Sequence, residues 1–253
     1  MITFENVSKT LGDRLVLDSL SFRIERGETF VIVGASGVGK SVTLKHMVRL
    51  LTPDSGKIIV DDECVNASRG DELEKIRRKF GYLFQGGALL AWLSVAENVA
   101  LPLREKTGMQ EQEIIDRVFT VLRLVGMEDD AKKLPDEISG GMRKRAGLAR
   151  AIVQNVEIIL YDEPTSGLDP VTSRTIDDLI GRTGRELNVT SVVVTHDLHS
   201  ALAIGSRIAM LSDGKFIEVS TPEEFVKSSN PEVKSFLDSQ YITRKGAWER
   251  NLK

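Results

Sequence analysis

Apolar and polar positions alternate from the start of the chain. Ile2-Thr3-Phe4-Glu5-Asn6-Val7 and Leu20-Ser21-Phe22-Arg23-Ile24 each place every second side chain on one face, with turn signals at Gly12-Asp13 and Arg26-Gly27-Glu28. That pattern predicts antiparallel strands. Gly56 to Val60, bounded by Thr52-Pro53-Asp54-Ser55 and Asp61-Asp62-Glu63, reads as another strand. Leu73 to Phe80 is a charged stretch, followed by a short buried strand at Gly81-Tyr82-Leu83-Phe84. From Ser94 to about Asn155 the spacing turns helical, as in Ile114, Ile115, Val118, Phe119, Val121, Leu122 and Val125. Ile158 to Tyr161 and Thr190 to Val194 are continuously apolar, as a parallel sheet covered on both faces requires, and a helix is expected between them from Val171 to Glu186. A hairpin is expected around Ser212-Asp213-Gly214, and Thr221-Pro222-Glu223-Glu224 has the cap and proline of a helix start.

Composition narrows the class. A chain of 253 residues fits one large domain, or a core with an inserted subdomain, and buries roughly 70–75% of its unfolded surface. The single cysteine, Cys64, excludes an internal disulfide and reads as a small side chain in a reduced compartment. A formal charge of −3 argues against a nucleic-acid surface spread over the whole domain, so no nucleic-acid partner is expected. No apolar run approaches the ~20 residues of a membrane span, and the first residues lack the regions of a signal peptide. If the protein works at a membrane, a partner holds it there.

The strongest chemical signal is Gly34-Ala35-Ser36-Gly37-Val38-Gly39-Lys40-Ser41, which follows the apolar run Phe30 to Val33 and precedes a segment able to form a helix. Glycine-rich backbone can turn successive N–H groups toward phosphate oxygens, while the following helix points its positive end at the same place. Lys40 is expected to reach the β- and γ-phosphates of ATP, Ser41 to hold Mg²⁺, and Val42 and Thr43 to continue the binding segment into the helix. The alternative is a glycine turn without a ligand. Tyr161-Asp162-Glu163 ends an apolar strand in two carboxylates, where an open α/β sheet places ligand groups. Asp162 is the candidate for Mg²⁺ and Glu163 for polarising the attacking water. His196, after the strand 190–194, is a candidate for the γ-phosphate or the water, and Gln85 for completing the Mg²⁺ shell and linking the sheet to the helical block. Each of these two also has a purely structural reading.

Ile138-Ser139-Gly140-Gly141-Met142 opens a helix in a basic stretch and forms a second anion site, or else a capped helix with Arg143, Lys144 and Arg145 on its exposed face. One chain has one phosphate loop, so the simplest use of Ser139, Gly140 and Gly141 is on the nucleotide of a second copy, in a head-to-tail homodimer sharing two ATP.

These segments, with Ser166-Gly167-Leu168-Asp169, resemble the ATP-binding subunit of ABC transporters in order and rough spacing across almost the whole chain. The resemblance implies an α/β fold: a P-loop NTPase core with a mostly parallel sheet, an N-terminal antiparallel β subdomain and a helical subdomain inserted at about 86–155. It assigns 1–240 to one ATP-binding domain and leaves 241–253, with Trp248, as a basic tail. It implies that Lys40, Ser41, Gln85 and Glu163 act on the nucleotide in cis and Ser139 and Gly141 in trans, with Asp169 coupling the two sites. Leu11 stands before Gly12 where the family has an adenine-stacking aromatic. Residues 83–90, 98–105, 139–146 and 230–238 resemble the Mce- or Mla-type lipid-transport ATPases. That likeness implies phospholipid transport at the cytoplasmic face of the inner membrane, an integral-membrane permease, and a STAS-type small subunit and an Mce-type lipid-binding protein as further partners. An amino-acid or metal importer is the alternative, and a soluble ABC ATPase acting on DNA or ribosomes a remoter one. Leu89, Leu90, Trp92 and Leu93 read either as a docking surface for a permease helix or as helical core.

Overall fold

The computed structural model describes residues 1–240 and 242; residues 243–253, including Trp248, lie outside the described residues. In chain order the elements begin with β1 (Ile2–Leu11), β2 (Arg14–Ile24), β3 (Thr29–Val33), α1 (Lys40–Met47), β4 (Ser55–Val60) and β5 (Glu63–Cys64). Next come α2 (Gly70–Arg78), β6 (Phe80–Leu83), α3 (Val95–Lys106), α4 (Glu111–Leu124), α5 (Gly140–Ile152) and β7 (Ile158–Asp162). The chain continues through α6 (Pro170–Leu187), β8 (Thr190–Thr195), α7 (Leu198–Ile204), β9 (Arg207–Ser212), β10 (Lys215–Ser220), α8 (Pro222–Val226) and α9 (Pro231–Ser239). Two compact units form, one from residues 1–66 with 194 onward and one from Ala67–Val193.

The first unit holds an antiparallel sheet in the order β2-β1-β4-β5. Its hairpin register pairs Ile2 with Ile24 and Phe4 with Phe22, so the apolar alternation of the sequence becomes one buried face. Phe22 stacks on Phe4 and Phe30, with centroids 4.5 and 5.6 Å apart, and meets Phe216 edge-on at 4.9 Å. This aromatic cluster fastens the antiparallel sheet to β3 and β10. In β3, Phe30 to Val33 are wholly buried; the strand pairs parallel with β9, which pairs antiparallel with β10.

In the second unit β6 and β7 run parallel, Phe80 opposite Ile158 through Leu83 opposite Tyr161, and every residue of β7 is buried. Helix α5 packs on this pair along one stripe. A Cβ on Gly81 would stand 2.4 Å from the Ala151 carbonyl, and one on Gly147 would stand 2.8 Å from Leu83. Small residues on both elements let the helix approach the strand backbone. One turn further along, Arg150 donates to the carbonyls of Ala88 (2.7 Å) and Gly87 (2.9 Å), fixing the loop after β6 to the same helix.

The α/β architecture with antiparallel and parallel sheets is the one expected from the sequence. Elements not anticipated are α2, α7, α9 and the short β5. In α2 the signals are present: Asp71 and Glu72 in the first turn, Arg77 and Arg78 in the last, and buried Leu73 and Ile76 three apart. The helical-core reading of Leu89 to Leu93 is overturned. The segment is irregular, Trp92 is 75% exposed, and the three leucines are half-buried. It is held by Asn98, wholly buried on α3, whose amide donates to the carbonyls of Leu90, Leu93 and Ser94 (2.9–3.1 Å) and accepts from the Leu90 N–H at 2.7 Å. Asn98→Ala leaves that backbone unsatisfied and is expected to cost about 1–3 kcal/mol in denaturant unfolding. Unchanged stability would contradict this role for Asn98.

Candidate functional site

The first unit builds the phosphate loop between β3 and α1. Gly34 has φ +148° and Gly39, the residue before α1, has φ +112°. A Cβ on Gly34 would lie 2.4 Å from the Leu211 carbonyl, and one on Gly39 would lie 2.7 Å from Val16 Cγ1. No other residue type keeps the loop in this path. Lys40 is 5% exposed, and its ammonium donates to the carbonyls of Gly34 (2.9 Å) and Ala35 (3.0 Å), curling the loop around the lysine end. Ala35, Ser36 and Gly37 are exposed and Val38, Ser41 and Val42 half-buried, whereas Thr43 is buried with its hydroxyl donating to the Gly39 carbonyl at 3.2 Å. Thr43 therefore serves the first turn of α1 through its side chain.

His196 lies in the same unit, exposed, at the turn from β8 into α7. That turn is fastened from both sides. Asp197 caps α7 through the N–H groups of His199 and Ser200, and Gln240, at the end of α9, donates to the His196 carbonyl at 2.6 Å and accepts from Leu198 N–H at 2.8 Å. Gln240 carries no motif, and nothing local in the chain points to its role. Leu11 (42% exposed) and Leu15 (51%) sit at the β1–β2 hairpin. Where the resemblance expects an aromatic, the surface is aliphatic.

The second unit gathers the remaining candidates. Asp162 is buried at the end of β7 and accepts from the Tyr82 hydroxyl at 3.1 Å; burial and the Asp162 charge push the Tyr82 phenol pKa far up and keep it a donor. Tyr82 also stacks on Phe84, with centroids 4.1 Å apart. Glu163, half-buried, has φ +49°, a left-handed conformation costly for a residue with a Cβ. Gln85 is exposed and its amide donates to Ser166 Oγ at 3.3 Å. Ser139 caps α5, its hydroxyl accepting from Met142 N–H at 3.3 Å, and Gly140 and Gly141 form the first turn. Asp169 caps α6; bonds from the Thr172 hydroxyl and then the Thr172 and Val171 N–H groups hold its carboxyl below the usual range.

One residue joins several of these and was hidden in a basic run. Lys144 is 4% exposed, not on an exposed face, and its ammonium donates to the Gln85 carbonyl and, at 3.0 Å, to the Glu163 carbonyl. Burial lowers its pKa, opposed by the nearby charges of Glu163 and Asp162. The second unit thus brings Gln85, Glu163, Ser166 and α5 into one hydrogen-bonded group.

The donor set suits a polyphosphate and a hard cation. The loop offers backbone N–H groups and an ammonium, and residues 34–41 contain no carboxylate. Each unit carries oxygen donors of the kind Mg²⁺ takes, Ser41 in the first and, separately, Gln85 and Asp162 in the second. Among the described residues no group of three or more His, Cys, Asp or Glu could hold an ion by itself.

The family model described as ABC transporter matches residues 17–166. The chain is 41% identical over 241 residues to the probable ribonucleotide transport ATP-binding protein mkl of Mycobacterium tuberculosis, covering 95% of this chain and 67% of that protein. It is 37% identical over 240 residues to the intermembrane phospholipid transport system ATP-binding protein MlaF of Haemophilus influenzae, covering 95% and 91%. Against the methionine import ATP-binding protein MetN 2 of Pseudomonas entomophila it is 40% identical over 242 residues, covering 94% and 72%. Among solved structures, the dimeric post-hydrolysis state of the ATP-binding cassette MJ0796, bound to ADP and Pi, superposes with a TM-score of 0.80 at 36% identity, covering 88% of this chain and 99% of that one.

Gly39→Ala forces a Cβ to within 2.7 Å of Val16 at a positive φ. With about 1–3 kcal/mol of strain to relieve, the loop is expected to lose about 5- to 150-fold in ATP affinity by calorimetric titration. Native affinity in this variant would show that the loop geometry is not what binds.

Proposed function

This chain belongs to the ABC transporter ATP-binding family and is an ATPase subunit of a transporter, and on that premise we propose that it powers the movement of phospholipid by a partner permease. The observation that carries the cargo is its 37% identity, over 240 residues, with an ATPase named for intermembrane phospholipid transport. The likeness of four segments to the lipid group supports the same reading. Residues 83–90 form the end of β6 and the Gln85 loop, 98–105 lie in α3, 139–146 open α5, and 230–238 form α9 with its cap.

Lys40 and the loop N–H groups bind the phosphates; Ser41, with Gln85 and Asp162, would hold Mg²⁺, which neutralises charge on the phosphoryl oxygens. Glu163 polarises the attacking water as general base, and His196 orients the γ-phosphate. Ser139, Gly140 and Gly141 act on the nucleotide of a second copy, by analogy with the dimeric cassette. Leu11 and Leu15 offer the base an aliphatic contact. Trp92, exposed beside half-buried Leu89, Leu90 and Leu93, receives a helix of the permease. Among the described residues no helix is long and apolar enough to cross a membrane, and we place the chain peripherally on the cytoplasmic face of the inner membrane. A STAS-type small subunit and an Mce-type lipid-binding protein complete the proposed assembly. A methionine or other small-solute importer is the second reading, favoured by the identity with MetN 2.

Glu163→Gln is expected to keep ATP binding and to lower steady-state hydrolysis about 10²–10⁴-fold; hydrolysis at the native rate would remove Glu163 as base. For the cargo, the chain purified from its native membranes in mild detergent is expected to bring a multi-span permease, an Mce-type protein and phospholipid, identified by mass spectrometry. A permease with a soluble amino-acid or metal receptor would overturn the lipid reading and leave the ATPase chemistry standing.

A further inference from the structure

Gln85 and Glu163 both act in the proposed hydrolysis, and each has to be held in place to do so. Gln85 is exposed on an irregular segment, and Glu163 sits in a left-handed conformation that a side chain disfavours. Neither is fixed by sheet pairing, because β6 ends at Leu83 and β7 at Asp162. A strained backbone persists only where its surroundings over-determine it. Lys144 reaches the main chain of both: its ammonium donates to the Gln85 carbonyl and to the Glu163 carbonyl.

Its placement is built, not incidental. Lys144 stands on the face of α5 that also carries Gly147, packed within reach of Leu83 and Gly87, and Arg150, bonded to the carbonyls of Gly87 and Ala88. The helix therefore touches the β6 loop at successive levels, and at the Lys144 level it also reaches the Glu163 carbonyl just past β7. Burying an ammonium is costly unless strong acceptors meet it. Two main-chain carbonyls do so here, and charge-assisted bonds of this kind are about twice as strong as neutral ones. An ordinary helix-packing position calls for an apolar or small side chain. A charge spent on two carbonyls from two catalytic segments calls for another purpose.

The geometry points to Lys144 as a positioning residue for hydrolysis: its ammonium ties the Gln85 and Glu163 main chains to α5, the helix that starts at Ser139. The inference rests on the assignment of Glu163 as base. It also gives α5 a mechanical task. A displacement of the helix that begins at Ser139 is carried by one side chain to the water-polarising carboxylate and to Gln85 together. Lys144 touches no nucleotide in this account and acts through the two carbonyls alone.

The test uses the full chain with Lys144→Met, which keeps the stem and removes the donors, and Lys144→Arg and Lys144→Gln, which keep N–H groups. In Lys144→Met, kcat is expected to fall about 10–100-fold, the scale on which small misplacements act, with KM for ATP within about twofold of native. At least one of the donor-retaining variants should regain most of the loss. Hydrogen exchange should rise together at residues 85–88 and 163–167 in Lys144→Met or, if that variant fails to fold, in Lys144→Ala, which also lacks the donors, while residues 34–43 stay at the native rate. A Met variant with native kcat, a loss confined to KM, or exchange that rises at one segment only would overturn the tether. Glu163→Gln, run alongside, separates the two ideas: its native-like exchange with lost turnover keeps the base assignment, and native turnover removes that assignment while the exchange data still judge Lys144.

Discussion

A phosphate gripped by main-chain N–H groups needs a loop whose peptide planes turn the same way in succession, and that path leaves no room for a side chain at its turning points. In this protein the limit is steric on two sides. The Leu211 carbonyl closes off Gly34, and Val16 closes off Gly39. The loop is therefore shaped by elements far away in the chain, β9 on one side and β2 on the other, as much as by its own residues. The Lys40 ammonium completes it from within by bonding the Gly34 and Ala35 carbonyls. The Phe4, Phe22, Phe30 and Phe216 cluster explains why β2 stands where it can do this, since it joins the β1–β2 hairpin to β3. The phosphate loop thus depends on the packing of the whole first unit.

The second unit is organised by a helix. α5 starts at Ser139, lays a stripe of Lys144, Gly147 and Arg150 against β6 and its loop, and touches the end of β7 through the same lysine. Asn98 performs the complementary task from α3, holding the irregular segment that follows Gln85. With both in place a loop that has no regular structure of its own acquires a defined path. The polar groups that define it are buried and mutually satisfied, so it is expected to move as a piece with α5.

How much of this was legible in the sequence follows from how local each signal is. The phosphate loop, the strand ending at Asp162-Glu163 and the Ser139 cap are readable because each is set by residues adjacent in the chain. The strands were readable where burial is on one face or on both. α2 was missed because its charged residues outnumber its two inward positions, Leu73 and Ile76, although the acidic first turn and basic last turn were there to see. The alternative that puts Lys144 with Arg143 and Arg145 on an exposed basic face does not hold for Lys144, which is buried. Helical phase separates them, and small residues at Gly141 and Gly147 on either side of Lys144 were the available sign that this face packs closely. Gln240, which fastens the His196 turn from 44 residues away, left no local trace at all.

In the proposed dimer, ATP is held between the phosphate loop of one copy and the Ser139 turn of another. Ser36 and Ser139 are both exposed, so cysteines at these two positions, in a Cys64→Ser background, report it directly by disulfide formation on a non-reducing gel. The expected result is a covalent dimer that forms when Mg·ATP is present and not in its absence. A disulfide formed only within single chains, or a dimer indifferent to nucleotide, would contradict it.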